Sequence, residues 1–211
     1  MTYQPLLEAC VESTNEAMHA WKNGAHQLEI CSQLEYDGLT PEVDVVDDII
    51  THVKIPCKVM IRNRKGDFYY TNEEIQNMVL QLHHLKTSGT SGFVFGAIKR
   101  DEKNRNILDL EAISQICIAA SPLPVTIHKA IDLCDDLLTE VKALRNISNV
   151  HFILTSGGAP DAELGSDMLV KMQKTAGKKI TIIAAGKITK ENIDRLITKT
   201  GIKIYHGRRI V

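Results

Sequence analysis

Arg62 and Arg64 close the run Lys58-Val-Met-Ile-Arg62-Asn-Arg64, two guanidiniums at the end of an apolar strand where a protein core would not choose charge. A guanidinium is a rigid fork of donors that suits a carboxylate or a phosphate. The same ending recurs in Leu7-Glu8-Ala9-Cys10, Leu28-Glu29-Ile30-Cys31-Ser32 and Val125-Thr126-Ile127-His128-Lys129. It returns in Phe152-Ile-Leu-Thr-Ser156-Gly157, Ile182-Ile-Ala-Ala-Gly186 and Ile204-Tyr-His206-Gly207. One such ending is noise, but a whole series of them is an architecture.

Side chains alternate across a strand, so Glu8 shares a side with Cys10, Glu29 with Cys31, and Arg62 with Arg64. If those sides converge, two carboxylates, two thiols and two guanidiniums meet, and burying such charges singly is costly. They must pair with one another, as Glu-Arg bridges that merely close the fold, or with a ligand. His128, with Lys129 beside it and Asp132 four residues on, is a general base, a metal ligand or a hydrogen-bonded core residue. His206 is placed in the same way. The candidate catalytic set is therefore Glu8, Glu29, Arg62, Arg64, His128 and Asp132.

Two further sets stand beside it. Ser156, Gly157, Gly186 and Gly207 follow the last three strands, where backbone N–H groups can receive phosphate or simply form tight turns. Cys10 and Cys31 offer soft sulfur that suits Cu(I), with Met60 as a thioether neighbour, or are small hydrophobes of the core. No Cys-x-x-Cys or Cys/His spacing points to zinc.

The elements that must position these groups alternate between β-rich runs and amphipathic stretches. Strands are expected near 6–10, 26–31, 57–62, 92–95, 124–128, 151–154, 180–184 and 202–206. Ser13, with Glu16 three residues on, starts one helix that runs to Lys22, and Thr71-Asn-Glu-Glu starts another that runs to Lys86 with Ile75, Met78, Val79, Leu82 and Leu85 on one face. Further helices are expected near 43–53, 109–120, 135–146, 162–176 and 190–199, and the polar stretch Lys99 to Asn106 reads as an exposed, mobile loop. No Gly-x-Gly-x-x-Gly turn follows the first strand, so a dinucleotide-binding sheet is disfavoured. The order predicts a (β/α)8 TIM-type barrel with a parallel sheet, a single domain over 1–211 whose final helix is short or missing.

The 211 residues are 44% hydrophobic and 24% charged with a net charge of −1, and the basic residues are scattered, which argues against nucleic acid or an anionic membrane as partner. No run approaches the length of a membrane span, the N-terminus lacks signal-peptide regions, and the five cysteines read as free thiols, so a cytoplasmic protein is expected. The flank left open by a missing last helix makes a homo-oligomer the expected state.

Together, Leu7-Glu-Ala-Cys10, Gly24-Ala25, Leu28-Glu-Ile-Cys-Ser32, Gly38-Leu-Thr-Pro41 and Met60-Ile-Arg-Asn-Arg64 with Gly66-Asp-Phe68 resemble the CutC family of copper homeostasis proteins. Gly92-Phe-Val-Phe-Gly96, His128-Lys-Ala-Ile-Asp132, Leu154-Thr-Ser-Gly157 and Tyr205-His-Gly207 extend the resemblance over nearly the whole chain. It implies a (β/α)8-type barrel and cytosolic Cu(I) binding or trafficking, with Cys10 and Cys31 as the thiol pair. The chain departs from the family pattern at Lys129, where arginine is usual, at Ile204, where an acid is common, and in the less glycine-rich Ala184-Ala185-Gly186. The polar set of Glu8, Glu29, Arg62, Arg64, His128 and Asp132 exceeds what two-coordinate copper requires. Three readings follow: a Cu(I) carrier, an enzyme acting on a small phosphorylated or carboxylated metabolite, and a barrel scaffold without chemistry.

Overall fold

Strands that are apolar on both faces must be covered on both, and parallel sheets wrapped in their own crossover helices achieve this. The computed structural model, which describes residues 4–211, takes that form. The chain runs β1 (Leu6–Val11), α1 (Thr14–Lys22), β2 (Gln27–Ile30), α2 (Val43–His52), β3 (Cys57–Met60), α3 (Asn72–Lys86) and β4 (Gly92–Phe95). It continues through β5 (Ile98–Arg100), β6 (Asn106–Leu108), α4 (Leu110–Ala120), β7 (Val125–Ile127), α5 (Leu137–Leu144) and β8 (Val150–Thr155). Then come α6 (Ser166–Ala176), β9 (Thr181–Ala184), α7 (Ile193–Thr200) and β10 (Ile204–Gly207). Eight parallel strands close a barrel in the order β1-β2-β3-β4-β7-β8-β9-β10, and β10 returns to β1. Seven helices surround it, and no eighth follows β10 among the described residues.

Local signals set the helix starts as expected. Ser13 caps α1 by accepting from the Glu16 N–H, and Thr71 and Glu74 form a reciprocal capping box at α3. Of Lys99 to Asn106, expected as an exposed, mobile loop, residues 101–105 are the mostly exposed turn of the β5–β6 hairpin, whose strands pair antiparallel from Ile98 opposite Leu108 to Arg100 opposite Asn106. Its turn is stitched by Asp101, which takes the Lys103 and Arg105 N–H groups and the Arg105 guanidinium. Only Ile98 and Leu108 of this ribbon reach the core, and strands of three residues are too short to show an apolar alternation.

Alternation sorts each strand into an outward face under the helices and an inward face in the barrel. Phe93 and Phe95 belong to the large core cluster, whereas Val94 between them packs with Cys31 and Met60 in a separate small one. Leu154, Ile183, Ala185 and Ile204 form a second small cluster. Register decides which polar side chains meet: Glu8 lies opposite Gln27 on one side and His206 on the other, Cys10 opposite Glu29, and Glu29 opposite Lys58. Glu8, Glu29 and Lys58 are all buried.

Candidate active site

Inside the barrel, Glu8 anchors a charged network. Its Oε2 accepts from Lys58 Nζ at 2.9 Å and from Gln27 Nε2 at 2.6 Å, and its Oε1 meets His206 Nδ1 at 2.9 Å. Burial alone would raise the Glu8 carboxyl, but Lys58 foremost, then His206, pull its pKa down to about 2. Lys58 also sits 4.1 Å from the centre of the Phe152 ring. A buried lysine that holds both a carboxylate and an aromatic face is fixed in place.

Glu29 differs. Among the described residues its Oε1 accepts only from the Cys31 thiol at 3.4 Å and its buried Oε2 has no partner. Burial foremost, with Glu8 adding to it, holds its pKa above the ordinary carboxylate value. His206 goes the other way: burial opposes its protonation, but Glu29, Cys10 and Glu8 together keep its pKa well above the usual imidazole value. Two carboxylates pushed in opposite directions around one histidine form the pattern of an acid-base pair. One ligand atom from each of Glu8, Glu29 and His206 lies within 4.8 Å of the others, so this buried cluster could also hold a metal ion.

Above it opens a cavity of about 870 Å³ lined by Cys10, Glu29 and His206, then by Arg62, Phe68 and His128. Arg62 is 3% exposed and has no carboxylate partner among the described residues. Its Nη1 donates to the carbonyls of Tyr36 at 2.7 Å and Gly38 at 3.2 Å, its Nη2 to that of Gly66 at 2.9 Å, and its buried Nε has no partner among the described residues. The guanidinium lies 4.7 Å from the centre of the Phe68 ring, whose other neighbour is the His128 ring at 4.9 Å. His128 Nδ1 accepts from the Ala130 N–H at 3.1 Å, which leaves the proton on Nε2, buried and unpartnered. Burial foremost, and then Arg62, lowers the His128 pKa to about 3, so the ring is neutral. Gly96 is what lets it lie there: a Cβ at that position would stand 2.6 Å from His128 Nδ1.

The remaining candidates separate by position. Strand pairing stops at Met60, the chain turns after Arg62, and Arg64 leaves the cavity lining to bond Glu74 Oε1 at 2.5 Å and the Tyr69 carbonyl at 2.6 Å. Asp132 is spent internally: it accepts from the Thr155 hydroxyl, from the N–H groups of Ser156 and Gly158 at 2.9 Å each, and from the Ser156 hydroxyl at 2.9 Å. Gly157 N–H goes to Thr155 Oγ1 at 2.9 Å. The turn after β8 thus already holds an anion, the Asp132 carboxylate. Gly186 and Gly207 do line the cavity, next to Lys187 and to Arg208 and Arg209. Gly186 takes a φ of +107° that a side chain would strain.

Cys10 lines the cavity and is partly exposed, whereas Cys31 lies outside the lining, wholly buried beside Met60. Burial foremost, with Glu29 second, pushes the Cys31 thiol well above its ordinary pKa. Three residues were not singled out from the sequence: Lys58, Phe68 and Gly96. Lys58 carried a legible signal, because Lys58, Met60 and Arg62 alternate along one strand face.

Comparison with known proteins agrees with the fold. The CutC family model matches residues 5–211. The human copper homeostasis protein cutC homolog is 33% identical over 201 residues, covering 95% of this chain and 72% of the human protein. Its Caenorhabditis elegans counterpart is 36% identical over 204 residues, covering 95% and 79%. The crystal structure of the Streptococcus agalactiae copper homeostasis protein CutC superposes with a TM-score of 0.90 at 26% identity, covering 99% of this chain and 100% of that one.

Proposed function

This chain belongs to the CutC family, and for it we propose an enzyme whose barrel mouth binds a small carboxylated or phosphorylated metabolite and moves a proton on it. The observation that carries the reading is Arg62, a buried guanidinium with no carboxylate partner among the described residues, which lines the same cavity as Glu29 with its unpartnered Oε2. An interior that desolvates a lone cation without a counter-charge is unstable unless a ligand supplies one. Five cations, Arg62, Lys129, Lys187, Arg208 and Arg209, line the cavity against three carboxylates, the raised Glu29, Asp37 and Asp132. Lys129 pairs with Asp132 at 3.8 Å and Arg208 with Glu12 at 3.4 Å, which leaves Arg62, Lys187 and Arg209 without an ion pair among the described residues. In this reading Glu29 and His206 exchange the proton, Glu8 and Lys58 hold His206 and the floor in place, and Arg62 with the basic rim anchors the anion.

The test is a thermal-shift screen of phosphorylated and carboxylated metabolites, followed by NMR of each hit in D2O for exchange of its C–H protons. Hits should exchange with wild-type protein, and Glu29→Gln should still bind them while exchange drops by about 100-fold. A screen without a single stabilising anion, or hits that bind without exchange or turnover, would sink the proposal.

A second reading, cytosolic Cu(I) binding or trafficking with copper as cargo, is favoured by the thiols. Cys10 faces Glu29 in register, Cys31 follows two residues later and packs on Met60, and the human and nematode relatives carry copper homeostasis in their names. Sulfur suits Cu(I). The fit is incomplete, because Cys31 is held as a thiol and the rest of the floor consists of carboxylate oxygen and imidazole nitrogen. Competition for Cu(I) against bathocuproine disulfonate under reducing conditions decides it. Binding that persists unchanged in the Cys10→Ser/Cys31→Ser variant removes this site.

A further inference from the structure

We propose that the Nε edge of Arg62 and the Nε2–H of His128 form a carboxylate-binding subsite, and that the ligand of the mouth is a small carboxylic acid with an oxygen on the neighbouring carbon. The inference rests on the reading of the mouth as an anion pocket and narrows its ligand from anions in general to one class.

The donor count leads there. A guanidinium has five N–H groups. Three of the Arg62 donors are consumed by the carbonyls of Tyr36, Gly38 and Gly66, which clamp the group and leave Nε–H and one hydrogen on the adjacent Nη2. Neither Nε of Arg62 nor Nε2 of His128 has an acceptor in hydrogen-bond geometry among the described residues, although the two side chains are 3% and 5% exposed. The Tyr70 hydroxyl, also buried and without such a partner, is close enough for the Arg62 charge to lower its pKa against the rise that burial gives. Such orphan donors are rare in folded proteins and mark a place where a ligand or water completes the structure. Both side chains line the same cavity and flank one ring, Phe68, whose centre lies 4.7 Å from the guanidinium and 4.9 Å from the imidazole. The aromatic plate holds the two donors in fixed relation.

Charge and shape then select the ligand. The subsite offers one positive charge, because the His128 ring is neutral, and it offers few donors. A planar monoanion with two oxygens matches the edge of a guanidinium. A tetrahedral dianion does not, and the cations that would suit it, Lys187 and Arg209, follow β9 and β10 on other strands of the barrel. With the fork occupied by a carboxylate, the His128 donor is left for an oxygen on the adjacent carbon. His128 has no second route to its geometry: its other nitrogen is tied to the Ala130 N–H and Gly96 leaves it just enough room.

The probes are pyruvate, acetate and inorganic phosphate. By calorimetry, pyruvate should bind wild-type protein more tightly than acetate, and phosphate at equal concentration should not displace it. Arg62→Lys, which retains the charge but loses the fork, should weaken pyruvate by roughly tenfold to a hundredfold, the worth of one charge-assisted hydrogen bond. Because that variant also loosens three carbonyls, a second measurement uses wild-type protein alone: the His128 ring N–H signal in a ¹⁵N–¹H spectrum should move on pyruvate addition. An unmoved His128 signal, unchanged affinity in Arg62→Lys, or displacement by phosphate overturns the subsite. Binding of a phosphorylated compound without a carboxylate, with no binding of pyruvate, overturns the subsite but leaves the anion pocket standing; if neither binds, both fall.

Discussion

Replacing His128 by glutamine should remove a pH dependence that the barrel carries in its interior. The wild-type ring is 5% exposed, it is tied through Nδ1 to the Ala130 N–H, and burial and then Arg62 bring its pKa from 6.5 to about 3. A group whose folded pKa lies below its unfolded value contributes stability above the unfolded pKa and loses it as pH falls. The unfolded chain therefore takes up a proton below pH 6.5 that the folded chain refuses until about pH 3. At about 1.36 kcal/mol per pH unit, the 1.5 units between 6.5 and 5 amount to about 2 kcal/mol lost from the wild type through this one residue. Glutamine can accept from the Ala130 N–H, does not titrate, and imposes whatever packing cost it has equally at every pH. Urea unfolding of both proteins at pH 7, 6 and 5 is the assay. The stability gap between wild type and His128→Gln should shrink by about 2 kcal/mol on going from pH 7 to 5. Glu8, whose pKa is about 2, stays ionised in both folded proteins and cancels from the comparison. Parallel profiles would mean that His128 accepts a proton within the fold, and the neutral-donor reading of the mouth would fail with it.

Three further perturbations probe the rest of the site. Lys58→Met takes the stronger of its two cationic partners from the buried Glu8, leaving only His206, and should cost about 3 kcal/mol, whereas adding Glu8→Gln to it should recover much of that loss; strictly additive losses in urea unfolding would contradict the pairing. Brief treatment of the native protein with iodoacetamide should label Cys10 first by mass spectrometry, because Cys31, Cys57, Cys117 and Cys134 are buried and Cys10 is partly exposed on the cavity wall; equal early labelling of Cys31 would refute this arrangement. Asp132→Ala strips the acceptor from the turn after β8, so the Ser156 and Gly158 amides should exchange with solvent far faster while amides in β1 and β2 remain unchanged; unaltered protection would show that the turn does not depend on the carboxylate.

The barrel was legible in the sequence because its rules are local. Each strand of the barrel announced itself by an apolar run, Ser13 and Thr71 announced their helices by the residue three positions on, and the alternation of Glu8 with Cys10 and Glu29 with Cys31 anticipated which side chains share a face. What was not legible was where a strand stops pairing. Arg62 and Arg64 have the same spacing as Glu29 and Cys31, yet the ladder of β3 ends at Met60, and the chain beyond Arg62 turns away to Glu74 on α3. Asp132 was similarly ambiguous, since a carboxylate near a histidine and a carboxylate that captures the N–H groups of a turn 24 residues on have the same local sequence. Lys58 was visible as a residue, but its role depended on register across two neighbouring strands, Glu29 opposite Lys58 and Cys10 opposite Glu29, which no single segment specifies.

That register also explains why the charges in this barrel divide into two systems with different fates. In the floor, Lys58, Gln27 and His206 saturate Glu8, so its desolvation is offset by partners supplied by the chain itself. At the cavity wall, the carbonyls that clamp Arg62 satisfy its hydrogen-bonding on one side without neutralising its charge, and neither Glu29 Oε2 nor His128 Nε2 is given a partner. A fold that needed only stability would have closed both systems alike, and a carboxylate from a neighbouring loop or helix can do it. Arg64 shows as much, since two residues beyond Arg62 it is neutralised by Glu74 and Asp67. The contrast between the two arginines is therefore the strongest physical reason to look for an acceptor that arrives from outside, at Arg62 and not at Arg64.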